Sequence, residues 1–166
     1  MNTPDILITN IVEARLLSPS FDHVITAGPE YREVKNMEHP SHLVVSFHDT
    51  LRLDWEGATE SDVAAVLDWA ADKRDDSILV HCHAGMSRST SMTIGILASW
   101  GYSEDEAWEI ARRSRPASAI ANHRDFIPNP LILSHVDSLL GTSFLTRDDR
   151  HYQMLDSGYF PATWGA

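Results

Sequence analysis

The chain has 166 residues, of which 43% are apolar and 22% are charged, a composition typical of one globular domain in water. Its formal charge of −11 repels a phosphate backbone, which argues against general nucleic-acid binding. No apolar run approaches the roughly 18 residues of a membrane span, and the N-terminus predicts no secretory signal. The single cysteine, Cys82, leaves no partner for an internal disulfide and favours a reducing, cytoplasmic location.

Four apolar segments along the first half of the chain predict β-strands. They are Ile6–Val12, His23–Pro29 with its Gly-Pro turn, His42–Phe47 and Ser77–His81. Near-continuous apolar runs of this kind are typical of strands covered on both faces.

Four helices are predicted from apolar periodicity and from their start and stop residues. They begin after Thr59 or Ser61, at Arg88, after Ser103 and at Pro130, and they end near Ala70, Trp100, Arg115 and Leu140. Strands followed by helices predict an α/β domain with a central mixed or mostly parallel sheet of four to five strands, flanked by helices. We expect this domain to span residues 1–141 and residues 142–166 to form a C-terminal tail docked on it.

The segment LVHCHAGMSRST, residues 79–90, is the most informative part of the sequence. An apolar strand leads into Cys82, five further residues, Arg88 and the start of a helix. Such a loop points backbone N–H groups at one spot, which stabilises a bound anion and a thiolate alike. Arg88 adds a planar fork of donors for two phosphate oxygens, Gly85 allows the loop to curl, and Ser89 places a hydroxyl near the sulfur.

The run His81-Cys82-x5-Arg88-Ser89 resembles the active-site loop of the Cys-based protein tyrosine phosphatases. HCHAGMSRST is most similar to the dual-specificity branch, whose loops typically read HCxAGxSRS. The resemblance covers roughly residues 23–141 and implies a protein tyrosine phosphatase-like fold, with Cys82 as nucleophile, Arg88 as phosphate clamp, and His81 and Ser89 in support. The residues that it implies for phosphate binding are His83, Ala84, Gly85, Met86, Ser87 and Arg88.

A general acid is needed to protonate the leaving oxygen, and two aspartates are candidates. Asp49 directly follows the third predicted strand within His48-Asp49-Thr50, which resembles the acid loop of similar phosphatases; Asp54 is the second choice. Either of them could instead be a solvated loop residue. The family also carries an asparagine that supports the phosphate loop, for which Asn122 and Asn129 are both candidates.

The resemblance implies hydrolysis of phosphomonoesters, with phosphotyrosine and phosphoserine or phosphothreonine in proteins as expected substrates. The reaction would pass through a cysteinyl-phosphate and require no metal or cofactor. The expected partner is a phosphorylated protein or a small phosphomonoester, with neither nucleic acid nor membrane. The alternatives are a phosphate-binding pseudophosphatase, a rhodanese-like sulfurtransferase, a metal site at His81, Cys82 and His83, and a cysteine that only packs.

Overall fold

A four-stranded parallel sheet forms the centre of the computed structural model, which describes residues 3–29, 34, 37–121 and 125–146. The strands run in the order β1-β4-β2-β3 across the sheet, and each neighbouring pair is parallel. Their bounds are β1 (Ile6–Thr9), β2 (His23–Ala27), β3 (His42–Val45) and β4 (Ile78–His81). The predicted α/β class, with helices flanking a mostly parallel sheet, is confirmed.

Six α-helices accompany the sheet within the described residues: α1 (Ile11–Leu17), α2 (Glu60–Ala70), α3 (Arg88–Ser99), α4 (Glu104–Arg113), α5 (Ala117–Ala121) and α6 (Pro130–Leu140). Short 3-10 turns occur at Ser18–Ser20, Leu53–Trp55 and Phe144–Thr146. The helices α2 and α4 begin at capping boxes formed by Thr59 with Asp62 and by Ser103 with Glu106. In this part of the chain no helix has the length and apolarity needed to cross a bilayer.

The first strand is shorter than predicted, because the chain turns into α1 at Asn10. The Asn10 side chain accepts a hydrogen bond from the Glu13 N–H at 2.7 Å, and the Glu13 carboxylate accepts one from the Asn10 N–H at 3.0 Å. This capping box overrides the β-branched character of Ile11 and Val12, so the strand predicted over Ile6–Val12 was wrong beyond Thr9. The short helix α5 was also not predicted.

The core has two parts, one on each face of the sheet. The larger part joins Ile8, Ile25 and Val80 to apolar residues of α2, α3, α4 and α6, whereas the smaller part contains Val24, Leu79, Ala14 and Met37. Every residue of β4 is buried. The strand that leads into Cys82 is therefore packed on both faces. Its carboxyl end lies at the edge of the sheet where α/β proteins bind ligands.

The chain continues to pack beyond the last helix. Phe144 is fully buried, and the Asp137 carboxylate accepts hydrogen bonds from the N–H groups of Phe144 and Leu145 at 2.8 and 3.0 Å. The division between a domain of residues 1–141 and a tail stays a prediction. Residues 147–166 of that tail lie outside the described residues.

Candidate active site

Cys82 lies at the carboxyl end of β4, where only 2% of the residue is exposed. Its Sγ accepts a hydrogen bond from the Gly85 N–H at 3.3 Å and lies 3.2 Å from the Ser89 Oγ. A sulfur atom with two hydrogen-bond donors around it is in a setting that stabilises a thiolate. The Ser89 hydroxyl thus contacts the sulfur, while its supporting role stays a prediction.

Three carbonyl groups of the loop, those of His83, Met86 and Ser87, accept hydrogen bonds from residues outside its inner side. The carbonyl of His83 accepts from the Ile11 N–H at 3.2 Å, and that of Met86 accepts from the Ile127 N–H at 2.9 Å. The Ser87 carbonyl accepts from the side chains of Thr90 and Ser91. Because these carbonyls are engaged from outside, the positive ends of the peptide dipoles are turned toward the inner side of the loop, the arrangement of an anion site.

Gly85 allows the loop to bend tightly against the junction between β1 and α1. Its φ is +69°, and a Cβ atom at this position would lie 2.7 Å from the Thr9 carbonyl carbon and 2.8 Å from the Asn10 nitrogen. Both neighbours are backbone atoms and cannot move aside by a change of rotamer. Glycine therefore satisfies a conformational and a steric requirement at once.

Arg88 begins α3, is 5% exposed, and lies beside Asp49. Its Nη1 donates to the carbonyl of Phe47 at 3.5 Å, and its Nε lies 3.8 Å from the Asp49 Oδ2. The N-cap residue Ser87 makes no capping bond with its side chain. The helix N-terminus and the guanidinium consequently supply positive charge to the same place.

Asp49 is held by two donors from distant parts of the chain. Its Oδ1 accepts hydrogen bonds from the Ser87 Oγ at 2.9 Å and from the Asn129 Nδ2 at 2.8 Å. Asn129 is 1% exposed, also donates to the Thr50 carbonyl at 3.3 Å, and caps α6 through its Oδ1. The structure therefore brings Asp49 and Asn129 to the loop; Asn122, the other candidate asparagine, lies outside the described residues.

Asp54, the second candidate acid, lies on the exposed 3-10 turn at Leu53–Trp55. Both of its oxygens accept hydrogen bonds from Arg52, whose guanidinium also stacks on the Trp55 ring at 4.4 Å. The hydrogen bonds with Arg52 lower the pKa of Asp54 below its usual value. Asp54 is therefore bonded to Arg52, whereas Asp49 contacts Ser87 and Arg88 of the loop, which favours Asp49 over Asp54 as the acid.

Two histidines flank Cys82 in different environments. His83 is exposed, whereas His81 is completely buried on the sheet. Burial lowers the pKa of His81 from 6.5 to about 4, so its ring is neutral at physiological pH. Its Nε2 lies 2.7 Å from the Thr26 Oγ1, and its Nδ1 lies 3.3 Å from the carbonyl of Cys82.

Several residues that shape the site were missed from the sequence. Thr9 and Asn10 buttress Gly85, Thr26 contacts His81, and Ser91 accepts a hydrogen bond from the Asn129 N–H at 2.6 Å. The capping pattern of Asn10 and Glu13 could have predicted, from the sequence, the helix start that packs against Gly85. The others join residues far apart in the chain, and no local pattern marks them.

No family model matches the sequence, and no curated protein matches it either. Solved structures do match. Human DUSP28 superposes with a TM-score of 0.58 at 20% identity, covering 83% of this chain and 89% of that one. Tk-PTP in its active form superposes with a TM-score of 0.53 at 18% identity, covering 84% of this chain and 93% of that one. PTPMT1 in complex with PI(5)P superposes with a TM-score of 0.52 at 19% identity, covering 93% of this chain and 92% of that one.

This chain has the fold of the Cys-based protein tyrosine phosphatases. The resemblance that the loop motif predicted is thus confirmed at the level of the fold. Within this phosphatase fold, Cys82 lies where the sheet meets α3 and Asp49 lies on the loop after β3. One fold supports many functions, so the substrate and the chemistry depend on the residues of the site.

Proposed function

We propose that the chain is a phosphatase that hydrolyses phosphomonoesters through a cysteinyl-phosphate intermediate. One observation supports this most strongly: the Cys82 sulfur accepts from Gly85 and lies against Ser89, on a loop whose last residue, Arg88, contacts Asp49. A nucleophile, a guanidinium and a carboxyl group thereby surround one anion site.

In the first step the Cys82 thiolate attacks phosphorus. The S–P bond forms, the P–O bond to the leaving group breaks, and Asp49 gives its proton to the departing oxygen. Because the Asp49 Oδ1 accepts from Ser87 and Asn129, we assign that proton to Oδ2, the oxygen facing Arg88. Arg88 and the loop N–H groups stabilise the charge on the phosphoryl oxygens.

In the second step water attacks the phosphorus of the cysteinyl-phosphate. Asp49, now a carboxylate, takes a proton from the water, while the S–P bond breaks and returns the thiolate of Cys82. Inorganic phosphate leaves. The Ser89 Oγ, 3.2 Å from the sulfur, can donate a hydrogen bond to the thiolate as it departs. Asn129 keeps Asp49 in place for both of its roles.

The surroundings of the site favour a phosphoprotein over a polyphosphorylated head group. A cavity of about 340 Å³ lies beside the loop after β3, where Phe47, His48, Glu56 and Asp62 are among its lining residues. None of these residues is a lysine or an arginine, and the overall charge of −11 disfavours a substrate that carries several phosphates. The loop interior, residues 83–87, also contains no lysine that could meet a second phosphate. We therefore infer phosphotyrosine and phosphoserine or phosphothreonine as substrates.

Hydrolysis of p-nitrophenyl phosphate near pH 6, with EDTA present, tests the proposal. Wild-type protein should turn over and Cys82→Ser should not, because an alcohol at this position is too weak a nucleophile. Turnover retained by Cys82→Ser would contradict the mechanism. An inactive wild type that binds inorganic phosphate in calorimetry would point to a pseudophosphatase, whereas thiosulfate-to-cyanide sulfur transfer would point to a sulfurtransferase. Active protein should then be compared on phosphopeptides and phosphoinositides, and a preference for phosphoinositides would contradict the substrate class.

A further inference from the structure

The turn that follows the loop of Asp49 ends in a strained residue, Glu56. Its φ is +56°, and among the described residues no other non-glycine residue has a positive φ. This left-handed conformation is unfavourable for a residue with a Cβ atom and is usually occupied by glycine, asparagine or aspartate. The Glu56 side chain is 83% exposed, so packing in the core does not compensate for the strain. Backbone strain of this kind clusters at functional sites, which directs attention to what the Glu56 carboxylate contacts.

Glu56 lines the cavity of about 340 Å³ that lies beside the loop after β3. A volume of this size falls within the range of ligand sites, about 300–1,000 Å³. The lining combines apolar Pro29 and Leu53, the latter 59% exposed, with the carboxylates of Glu56 and Asp62. Of the described residues that line the cavity, none is a lysine or an arginine. Apolar surface and two carboxylates in one cavity fit a side chain with an aliphatic stem and a cationic end.

Each of the two carboxylates has an oxygen that can accept from a ligand. The His48 Nε2 contacts the Oε2 of Glu56 at 3.1 Å. The Oδ2 of Asp62 accepts from the N–H and the Oγ1 of Thr59, at 2.8 and 2.7 Å. These bonds use one oxygen of each carboxylate and leave the Oε1 of Glu56 and the Oδ1 of Asp62 as acceptors. The ammonium of a lysine or the guanidinium of an arginine would supply the matching donors.

The cavity and the candidate active site share the loop after β3. Phe47 lines the cavity and gives its carbonyl to the Nη1 of Arg88 at 3.5 Å, and His48, which also lines it, directly precedes Asp49. The Glu56 carbonyl accepts from the His48 N–H at 2.8 Å, which fastens the strained residue to the same loop. An extended chain advances about 3.3–3.6 Å per residue, so we expect a side chain about two to four positions from a bound phosphoresidue to reach the cavity.

We propose that this cavity binds a lysine or arginine side chain of the substrate protein, with Glu56 and Asp62 as the residues that determine this specificity. The inference rests on the proposed phosphatase function and narrows its substrates to phosphorylated segments with a basic residue close to the phosphoresidue. The formal charge of −11 favours the approach of such segments. The proposal also explains why glutamate occupies a position whose backbone favours glycine, because glycine would remove a carboxylate from the cavity.

The alternative role of Glu56 is structural, as a support for His48. The side chains of His48 and Glu56 are 44% and 83% exposed, and an exposed ion pair contributes little to stability. Glu56→Gly should therefore unfold in urea at a midpoint at least as high as that of wild type, because glycine relieves the backbone strain. The same variant should lose the preference for a basic residue in the substrate. A structural role predicts the reverse, a lower midpoint with an unchanged preference.

Full-length protein and a set of phosphotyrosine peptides measure this preference. One arginine is moved through the four positions on each side of the phosphotyrosine in an alanine and serine background. We expect arginine at one position to raise kcat/KM about fivefold over the arginine-free peptide, mainly through a lower KM, as a partly exposed ion pair allows. Glutamate at that position should lower kcat/KM. Equal values for all peptides, or a preference for an apolar residue instead of arginine, would overturn the proposal.

Charge-removing variants test which residues carry the preference. Glu56→Gln and Asp62→Asn should each bring the ratio of kcat/KM for the arginine peptide to that for the arginine-free peptide closer to one, and Glu56→Arg should favour the glutamate peptide. Glu60→Gln is the matched control and should keep the wild-type ratio, because Glu60 bonds the Ser138 hydroxyl at 2.8 Å and does not line the cavity. A wild-type ratio in the double variant of Glu56→Gln and Asp62→Asn would contradict the assignment.

Binding separates this proposal from the phosphatase proposal. Calorimetry of the same peptides with Cys82→Ser should show the same preference for arginine in Kd. If wild type fails to hydrolyse p-nitrophenyl phosphate while the peptides bind with this preference, the cavity assignment holds and the phosphatase proposal fails. If wild type turns over and no position prefers arginine in either assay, the phosphatase proposal holds and the cavity assignment fails.

Discussion

Asn129 connects three parts of the site through one side chain. Its Nδ2 donates to Asp49, its Oδ1 accepts from the first N–H groups of α6, and its backbone N–H donates to Ser91 on α3. The orientation of the acid is therefore tied to the start of one helix and the side of another. This fixed orientation is what a general acid needs in order to act on the leaving oxygen.

The role of Asp49 predicts a dependence on the leaving group. Asp49→Asn should lower kcat for phenyl phosphate by roughly 100-fold or more, because the poorly stabilised phenoxide needs the proton. The loss should be much smaller for p-nitrophenyl phosphate, whose leaving group is stable as an anion. Asp54→Asn is the matched control and should leave both rates near wild type, since Asp54 bonds Arg52 away from the loop. A leaving-group effect in Asp54→Asn, absent from Asp49→Asn, would transfer the acid role to Asp54.

Burial of neutral His81 predicts a loss of stability in acid. The unfolded chain takes up the His81 proton near pH 6.5 and the folded chain only near pH 4, so the unfolded state binds more protons between these values. The free energy of unfolding should fall as pH decreases from about 6.5 to 4, by roughly 3 kcal/mol in total from this group. Urea denaturation at pH 7.5, 6 and 5 measures this fall in the free energy of unfolding. His81→Gln should show a shallower decline; an equal slope in both proteins would contradict the assignment.

At the scale of elements, the phosphate loop, which comprises residues 82–88, depends on the start of α1 as much as on β4 and α3. Gly85 packs on the backbone of Thr9 and Asn10, and the Ile11 N–H donates to the His83 carbonyl. The capping box of Asn10 and Glu13 fixes the chain direction at this point. The start of a short helix outside the sequence motif thus packs against the outer side of the phosphate loop.

Gly85→Ala should therefore damage the loop more than an alanine at another left-handed glycine. Gly101 is the matched control: its φ is +89°, and a Cβ there would meet nothing within 4 Å. Gly101→Ala should lower the free energy of unfolding only through backbone strain, by roughly 1–2 kcal/mol as measured by urea denaturation. Gly85→Ala adds contacts of 2.7–2.8 Å with backbone atoms, so it should lose more stability and also its affinity for inorganic phosphate in calorimetry. Unaltered phosphate affinity in Gly85→Ala would show that the loop tolerates the added atom.

The elements that could be predicted from the sequence are those with local signals. The strand before Cys82 and the helices capped by Thr59 and Ser103 follow from apolar runs and capping residues. The helix α1 was not predicted, because β-branched Ile11 and Val12 favour a strand and only the cap at Asn10 favours a helix. The bond between Asn129 and Asp49 joins residues 80 positions apart, so only the folded chain brings them together.

At the scale of the whole molecule, the helices α3 and α6 connect the site to the larger core. Ile94, Ile132, Leu133 and Val136 are fully buried there, and Gly95 allows close approach, since a Cβ at this position would lie 2.9 Å from Val136. The start of α6 holds the acid through Asn129, and its end receives the turn that contains Phe144. Packing at the C-terminal end of α6 therefore supports the helix that positions the acid.

That arrangement predicts that residues 142–146 contribute to the stability of the domain. Phe144→Ala should lower the free energy of unfolding by roughly 3–5 kcal/mol, because it leaves a cavity at a fully buried site. Leu145→Ala, at a neighbouring position that is 37% exposed, should cost less than about 1 kcal/mol and serves as the control. Chains ending at Thr146 and at Gly141 extend the test, and urea denaturation should find the shorter chain less stable. If it is equally stable, Phe144 does not support the domain; if it is weaker by about the cost of Phe144→Ala, then the turn after α6 acts as part of the core.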